Sequence, residues 1–214
     1  MVSIYITNVS DLPDPKEYPE LLTHFPKERR EKTLRYRQEK DRKQSLGAGA
    51  LLRHLLQSRK IEEAEIIYGE HGKPEISGIH FNISHSGDYV VCAVGDGIVG
   101  CDIEKIGQFR EPVVKRFFTE QETSYINAFS GESKKEEFYR LWTMKESYMK
   151  MTGEGLTLDS KRIEFSLGEN VQVYRDGVKV SCAIKEYYLF GYKLTVCSED
   201  MDFAEEVEFV PCLK

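Results

Sequence analysis

Cysteine and proline are scarce, a long apolar run is missing, and each shortage narrows the field. The five cysteines (Cys92, Cys101, Cys182, Cys197, Cys212) are odd in number, scattered and never in CxxC spacing. That argues against a disulfide framework and a zinc ribbon, and points to a reduced, cytoplasmic setting. Cys101, although next to Asp102, reads as a buried inert thiol. No stretch approaches the ~18 apolar residues of a membrane span, so no membrane association is expected. The opening MVSIYITNVSDLPD has no basic segment followed by an apolar core, so it does not read as a secretory signal. GxxxxGK[ST], GxGxxG, HExxH and GxSxG are all missing, which leaves P-loop and dinucleotide chemistry unsupported. Basic charge is also short: 30 Lys and Arg stand against 36 Asp and Glu, a net charge of -6. General nucleic-acid binding is therefore not expected.

What remains is an ordinary globular composition. A chain of 214 residues buries roughly 70 % of its extended surface and needs no covalent staple. The charge is uneven. Residues 27–43 (KERREKTLRYRQEKDRK) hold nine basic and four acidic side chains, whereas Glu199 to Glu208 holds six acids and no base. A basic patch on an acidic protein fits one particular anionic ligand, and it equally fits a solvated helical face.

Periodicity supplies the coarse layout. A strand is expected from Ile4 to Asn8, then prolines break the path. Leu46, Leu51, Leu52, Leu55 and Leu56 form an apolar side in a helix over 41–58. Ile66 to Tyr68 reads as a short strand and GEHGKP (69–74) as a turn. Residues 79–84 alternate strictly, with Ile79, Phe81 and Ile83 apolar between His80, Asn82 and Ser84. With Tyr89–Val94 and Ile98–Glu104 they suggest an antiparallel meander over 79–104. Helices are expected over 111–128 and 134–152, the second with Phe138, Leu141, Trp142, Tyr148 and Met149 on one stripe. Strands follow over 161–197, with a hairpin turn at Asp176-Gly177. Helix then sheet, twice, with antiparallel pairing, is α+β.

Chemistry-bearing residues fall in three places. Asp102 and Glu104 share one side of a strand. They read either as two solvated acids or as half of a hard-metal site suited to Mg²⁺. Glu146 and Lys150 stand one turn apart on the last long helix, either as a surface pair or as a third carboxylate and a phosphate-facing ammonium. Lys145 falls inside the apolar stripe, where it snorkels over Trp142 or reaches an anion. Asn82, Ser84 and His85 end the alternating strand, and Lys73 stands on the Gly72-Lys73-Pro74 turn; each offers a donor to phosphate oxygens.

In this order and spacing, G-K-P (72–74), F-N-I-S-H-S (81–86), G-C-D-I-E-K (100–105) and L-W-T-M-K-E-S-Y-M-K (141–150) closely resemble the phosphopantetheinyl transferase family. The resemblance is to its larger, surfactin-synthetase-activating type and spans about residues 27–157. It implies two similar α/β halves related by a pseudo-twofold, over 1–101 and 102–214, the second ending in an acidic tail, in one monomeric chain. It implies transfer of the 4'-phosphopantetheine arm of coenzyme A to a serine of an apo acyl or peptidyl carrier protein, with Mg²⁺, releasing adenosine 3',5'-bisphosphate. The family's acids match Asp102, Glu104 and Glu146, its coenzyme A contacts match Lys73, Ser84 and His85, and its lysine after K-E matches Lys150. Glu146 is the candidate base. The basic segment matches only loosely, with Arg30, Lys32 and Lys43 as candidates for the 3'-phosphate. Val114-Lys115-Arg116-Phe117-Phe118 combines cations with adjacent phenylalanines, as a carrier docking face requires. The same three acids would equally serve another Mg²⁺-dependent phosphotransferase or hydrolase, and a silent binding module is the third reading.

Overall fold

The computed structural model describes residues 1–61, 66–68, 74–155, 158–168 and 171–212. In chain order the elements begin with β1 (Ser3–Asn8), α1 (Lys27–Arg35) and α2 (Glu39–Ser58). Then come β2 (Ile66–Tyr68), β3 (Pro74–Ile76), β4 (His80–Ser86), β5 (Tyr89–Gly95) and β6 (Val99–Lys105). Three helices follow: α3 (Glu111–Phe117), α4 (Glu120–Asn127) and α5 (Gly131–Thr152). The chain closes with β7 (Ile163–Ser166), β8 (Gln172–Arg175), β9 (Val178–Lys179), β10 (Ala183–Leu189), β11 (Tyr192–Ser198) and β12 (Glu208–Phe209).

Two halves repeat one plan, a long helix laid across a small sheet, and the class is α+β as the patterning predicts. The first sheet has the order β12-β1-β5-β4 and the second β10-β11-β6. α2 packs on β5 and β1, and α5 packs on β6 and β11. Leu46, Leu51, Leu52 and Leu55 of α2 are all buried against Val90, Cys92 and Val94 of β5, which is what their helical spacing requires. On α5, Phe138, Leu141, Met144, Tyr148 and Met149 form the second core.

The expected meander over 79–104 is only two-thirds present. β4 and β5 pair as a hairpin closed by Gly87-Asp88, with Gly87 at φ +58°. β6 does not continue that sheet; it pairs along its whole length with β11. The reason lies in the polar residues of β4. Asn82 Oδ1 accepts from the Cys101 N–H at 2.9 Å, Ser84 Oγ from the Ile103 N–H at 3.3 Å, and Ser86 Oγ from the Lys105 N–H at 3.1 Å. The alternation that the sequence displays is therefore a seam. Asn82, Ser84 and Ser86 of β4 take the place of a backbone ladder and join the two sheets.

Two other boundaries differ. The helix expected over 111–128 is two helices, broken at Phe118 and Thr119. Thr119 accepts from the Glu122 N–H at 3.2 Å, while Glu122 Oε2 accepts from the Thr119 N–H at 2.9 Å. That reciprocal cap restarts the helix. The second arm of the 176–177 hairpin is short: β9 ends at Lys179, and β10 belongs to the second sheet.

α5 seats closely because position 100 carries no side chain. A Cβ on Gly100 would stand 2.1 Å from the Ser147 carbonyl oxygen and 2.3 Å from the Met151 nitrogen. The helix turn that follows Glu146 thus rests directly on the strand that carries Asp102. Finally, the acidic tail folds back over the first half. Val2 N–H donates to Asp202 O at 2.7 Å, Ala204 N–H to Val2 O at 2.8 Å, and β12 pairs in parallel with β1.

Candidate active site

The site lies where the β4–β6 seam meets the last turns of α5. Asp102 is in mid-strand and only 4 % exposed. Its Oδ1 accepts from Ser84 Oγ at 2.8 Å and from Lys150 Nζ at 2.6 Å, and Lys150 also donates to Ser84 Oγ at 3.0 Å. Its Oδ2 is buried with no hydrogen-bond partner among the described residues. A buried carboxylate oxygen without a partner is costly, so this atom is positioned for something that brings positive charge.

Glu104, two residues on, shares that face. Ser86 Oγ donates to its Oε2 at 2.7 Å. Burial lifts its pKa above the ordinary value, the Ser86 bond pulls it back, and the Asp102 charge raises it further. Glu146 is pushed up to about 7, first by burial, then by the Asp102 charge; Glu104 adds to the rise and Lys150 opposes it. Three carboxylates thus feel one another in one neighbourhood. As they stand, no three His, Cys, Asp or Glu side chains among the described residues are gathered closely enough to cage an ion. Lys150 is the cation at the centre. Burial alone would lower its pKa, but the Asp102 carboxylate carries it above the ordinary range.

The coenzyme-facing candidates divide. Ser84 is buried and committed to Asp102 and Lys150. His85, the next residue, points to the opposite side of β4 and is exposed. Desolvation of its ring and then the Lys150 charge hold its pKa below the ordinary value. Lys43 lies on α2, ion-paired with Glu39 at 2.7 Å and reaching Ser10 O at 3.5 Å. Lys73 lies outside the described residues, as does most of its turn. Within the basic segment, Arg42 is structural: it is buried, paired with both oxygens of Asp14, and donates to the carbonyls of Tyr36 and Arg37 at 2.8 and 2.9 Å. Arg29 is buried too and donates to Ser45 O at 2.8 Å. Arg30 is half-buried and Lys32 exposed.

Two residues that drew attention in the sequence serve the core. Lys145 neither snorkels nor reaches an anion from solution. It is fully buried, ion-paired with Glu122 at 2.9 Å, and donates to the carbonyls of Ser160 and Ile163 at 2.8 and 2.6 Å. Phe118 is buried, and Phe117 is half-buried edge-on to Trp142 with ring centroids 5.2 Å apart. Ser86, which holds Glu104, was not assigned a role from the sequence. Ser86 could have been found, because the alternation places it on one face with Ser84.

Residues 98–197 match the family model for the 4'-phosphopantetheinyl transferase superfamily, and residues 12–96 match that for the N-terminal region of 4'-phosphopantetheinyl transferase. The 4'-phosphopantetheinyl transferase Sfp of Bacillus subtilis (strain 168) is 33 % identical over 204 residues, covering 91 % of each chain. The chain belongs to the 4'-phosphopantetheinyl transferase superfamily. Another member, gsp of Aneurinibacillus migulanus, is 34 % identical over 205 residues, covering 92 % of this chain and 86 % of its own. The L-aminoadipate-semialdehyde dehydrogenase-phosphopantetheinyl transferase of Rattus norvegicus is 32 % identical over 190 residues, 77 % of this chain and 61 % of its own. The similarity to Sfp and gsp runs through both halves, as expected for the Sfp type of phosphopantetheinyl transferase. No helix among the described residues is long and apolar enough to cross a membrane.

Proposed function

We propose that this phosphopantetheinyl transferase moves the 4'-phosphopantetheine arm of coenzyme A to a serine hydroxyl of an apo acyl or peptidyl carrier protein, with Mg²⁺, releasing adenosine 3',5'-bisphosphate. The observation that carries the reading is the unpartnered Oδ2 of Asp102, buried beside two carboxyls whose pKa values are raised. Oxygen-only donors of this kind fit a hard divalent cation. Asp102, Glu104 and Glu146 are the residues that would hold it. Bound there, Mg²⁺ would neutralise and orient pyrophosphate oxygens.

The chain's own groups divide the remaining work. Glu146, with a pKa of about 7, is suited to take the proton from the carrier serine as its oxygen attacks the β-phosphorus. Lys150 faces the same centre as an ammonium and stabilises charge on the leaving bisphosphate, or protonates it. Ser84 fixes both Asp102 and Lys150. His85, Lys73 and Lys43 are assigned to coenzyme A, with the separate 3'-phosphate as their common anion. The free His85 imidazole is biased to neutrality by its surroundings, and an arriving phosphate reverses that bias.

Incubation with coenzyme A, Mg²⁺ and an apo carrier, read by intact mass, tests the reading. A phosphopantetheine adduct on the carrier is expected. Free bisphosphate without an adduct would make the protein a hydrolase, and binding without turnover a silent module.

A further inference from the structure

Ser86 has no part in the chemistry above, yet it is bonded to one of its acids. Ser84 and Ser86 stand two residues apart on one face of β4, as Asp102 and Glu104 do on β6. The two pairs meet in matched register. Ser84 Oγ accepts the Ile103 N–H at 3.3 Å and gives its proton to Asp102 Oδ1 at 2.8 Å. Ser86 Oγ accepts the Lys105 N–H at 3.1 Å and gives its proton to Glu104 Oε2 at 2.7 Å. A serine hydroxyl has one proton to give. Each serine therefore ties a carboxylate to the backbone amide that directly follows it, and so fixes the acid against its own strand.

The place of Ser86 is itself fixed from three directions through the Gly87-Asp88 turn that follows it. Gln44 Nε2 of α2 donates to Gly87 O at 2.9 Å in a buried bond. The Asp88 N–H donates to the Tyr192 hydroxyl of β11 at 3.1 Å, and Lys105 Nζ of β6 donates to Asp88 Oδ2 at 2.9 Å. The fit is close, since a Cβ on Gly87 would run into the Tyr192 hydroxyl and the Lys105 side chain.

We propose that Ser86 is a positioning residue for the divalent cation, its hydroxyl holding the Glu104 carboxylate in the orientation that shares the ion with Asp102. The proposal rests on the assignment of Asp102, Glu104 and Glu146 to Mg²⁺ made above. A glutamate side chain has more rotamer freedom to lose than an aspartate when an ion fixes it. The bond from Ser86 removes part of that freedom before the ion arrives. Ser84 acts alike on Asp102, but it also accepts from Lys150 Nζ at 3.0 Å. Ser86, with Glu104 as its one acidic partner among these bonds, isolates the effect.

The test reads ion binding rather than turnover. Mn²⁺, in place of Mg²⁺, is titrated to millimolar levels into the chain with saturating coenzyme A and no carrier. Bound ion is read from the loss of the free-ion paramagnetic resonance signal, corrected for coenzyme A alone. Ser86→Ala should weaken Mn²⁺ binding about tenfold, and Ser86→Thr, which keeps a hydroxyl on the strand, should restore it. In a Glu104→Ala background, Ser86→Ala should cost almost nothing further, because the group it orients is gone. Unaltered binding by Ser86→Ala would overturn the inference. So would a tenfold loss that persists in the Glu104→Ala background, which would make Ser86 a support of the β4–β6 seam and no more. If the unaltered chain binds no Mn²⁺, or binds it equally well as Asp102→Asn, the metal assignment itself falls, and the inference falls with it.

Discussion

Ser84 donates its hydroxyl proton to Oδ1 of Asp102 at 2.8 Å, joining strands of different sheets. The bond fixes which oxygen of Asp102 is engaged and which is left over. Asp102→Asn keeps the shape and removes the charge. Transfer should fall by about 100-fold or more, and loss of the partner for Lys150 should reduce stability by about 1–3 kcal/mol. Steady-state transfer at saturating Mg²⁺, with a melting curve beside it, separates the two effects. Near-native turnover would show that Asp102 is not a metal ligand.

The pH dependence of stability has a definite sign. Glu146 titrates at about 7 in the fold, against an ordinary 4.5. Between those values the folded chain retains a proton that the unfolded chain has lost. Stability without metal therefore falls as pH rises through that window, by up to roughly 3 kcal/mol. Glu104 moves the same way. Urea midpoints in chelator should show the decline, and Glu146→Gln should flatten it. Added Mg²⁺ should stabilise more at about pH 8 than at about pH 5, because only the ionised carboxyls bind it. A slope unchanged by the substitution would remove Glu146 as its source.

His85→Ala should weaken coenzyme A binding about tenfold and leave the turnover number nearly unchanged, as loss of a ground-state contact does. Calorimetry with coenzyme A lacking the 3'-phosphate is the control. If the variant loses as much affinity for that analogue, the histidine does not meet the 3'-phosphate.

Lys145→Met should leave the buried Glu122 without its cation, at a loss of about 3–5 kcal/mol. The double change Lys145→Met with Glu122→Gln should recover much of it, measured by denaturant titration. Strictly additive losses would mean that the pair is not coupled in the fold.

The faces that carry Asp102, Glu104, Glu146 and Lys150 were more legible than the joints between their elements. D-x-E on a strand and E-x-x-x-K on a helix declare their faces through fixed periods, and the carboxylates do share a neighbourhood. Local pattern did not say what the polar face of β4 is for. Asn82, Ser84 and Ser86 look the same in sequence whether they meet water, a ligand or the N–H groups of β6. Long-range partners also decide Lys145, whose acid and carbonyls come from Glu122, Ser160 and Ile163. By contrast, the break before α4 was locally encoded. Thr119 followed by Glu122 is a cap signature that the apolar period alone overlooks. Arg42 shows how a count of charges misleads: it raises the basic total of its segment, yet Asp14 and two carbonyls consume it.

The parallel strand β12 carries a consequence of its own. The outer edge of β1 is completed by residues from the far end of the chain. A protein shortened before Glu208 would bare the peptide groups of that edge, and such edges recruit foreign strands. Truncation there should promote association between copies, or exchange of tails in mixed preparations, before it affects the carboxylates at all.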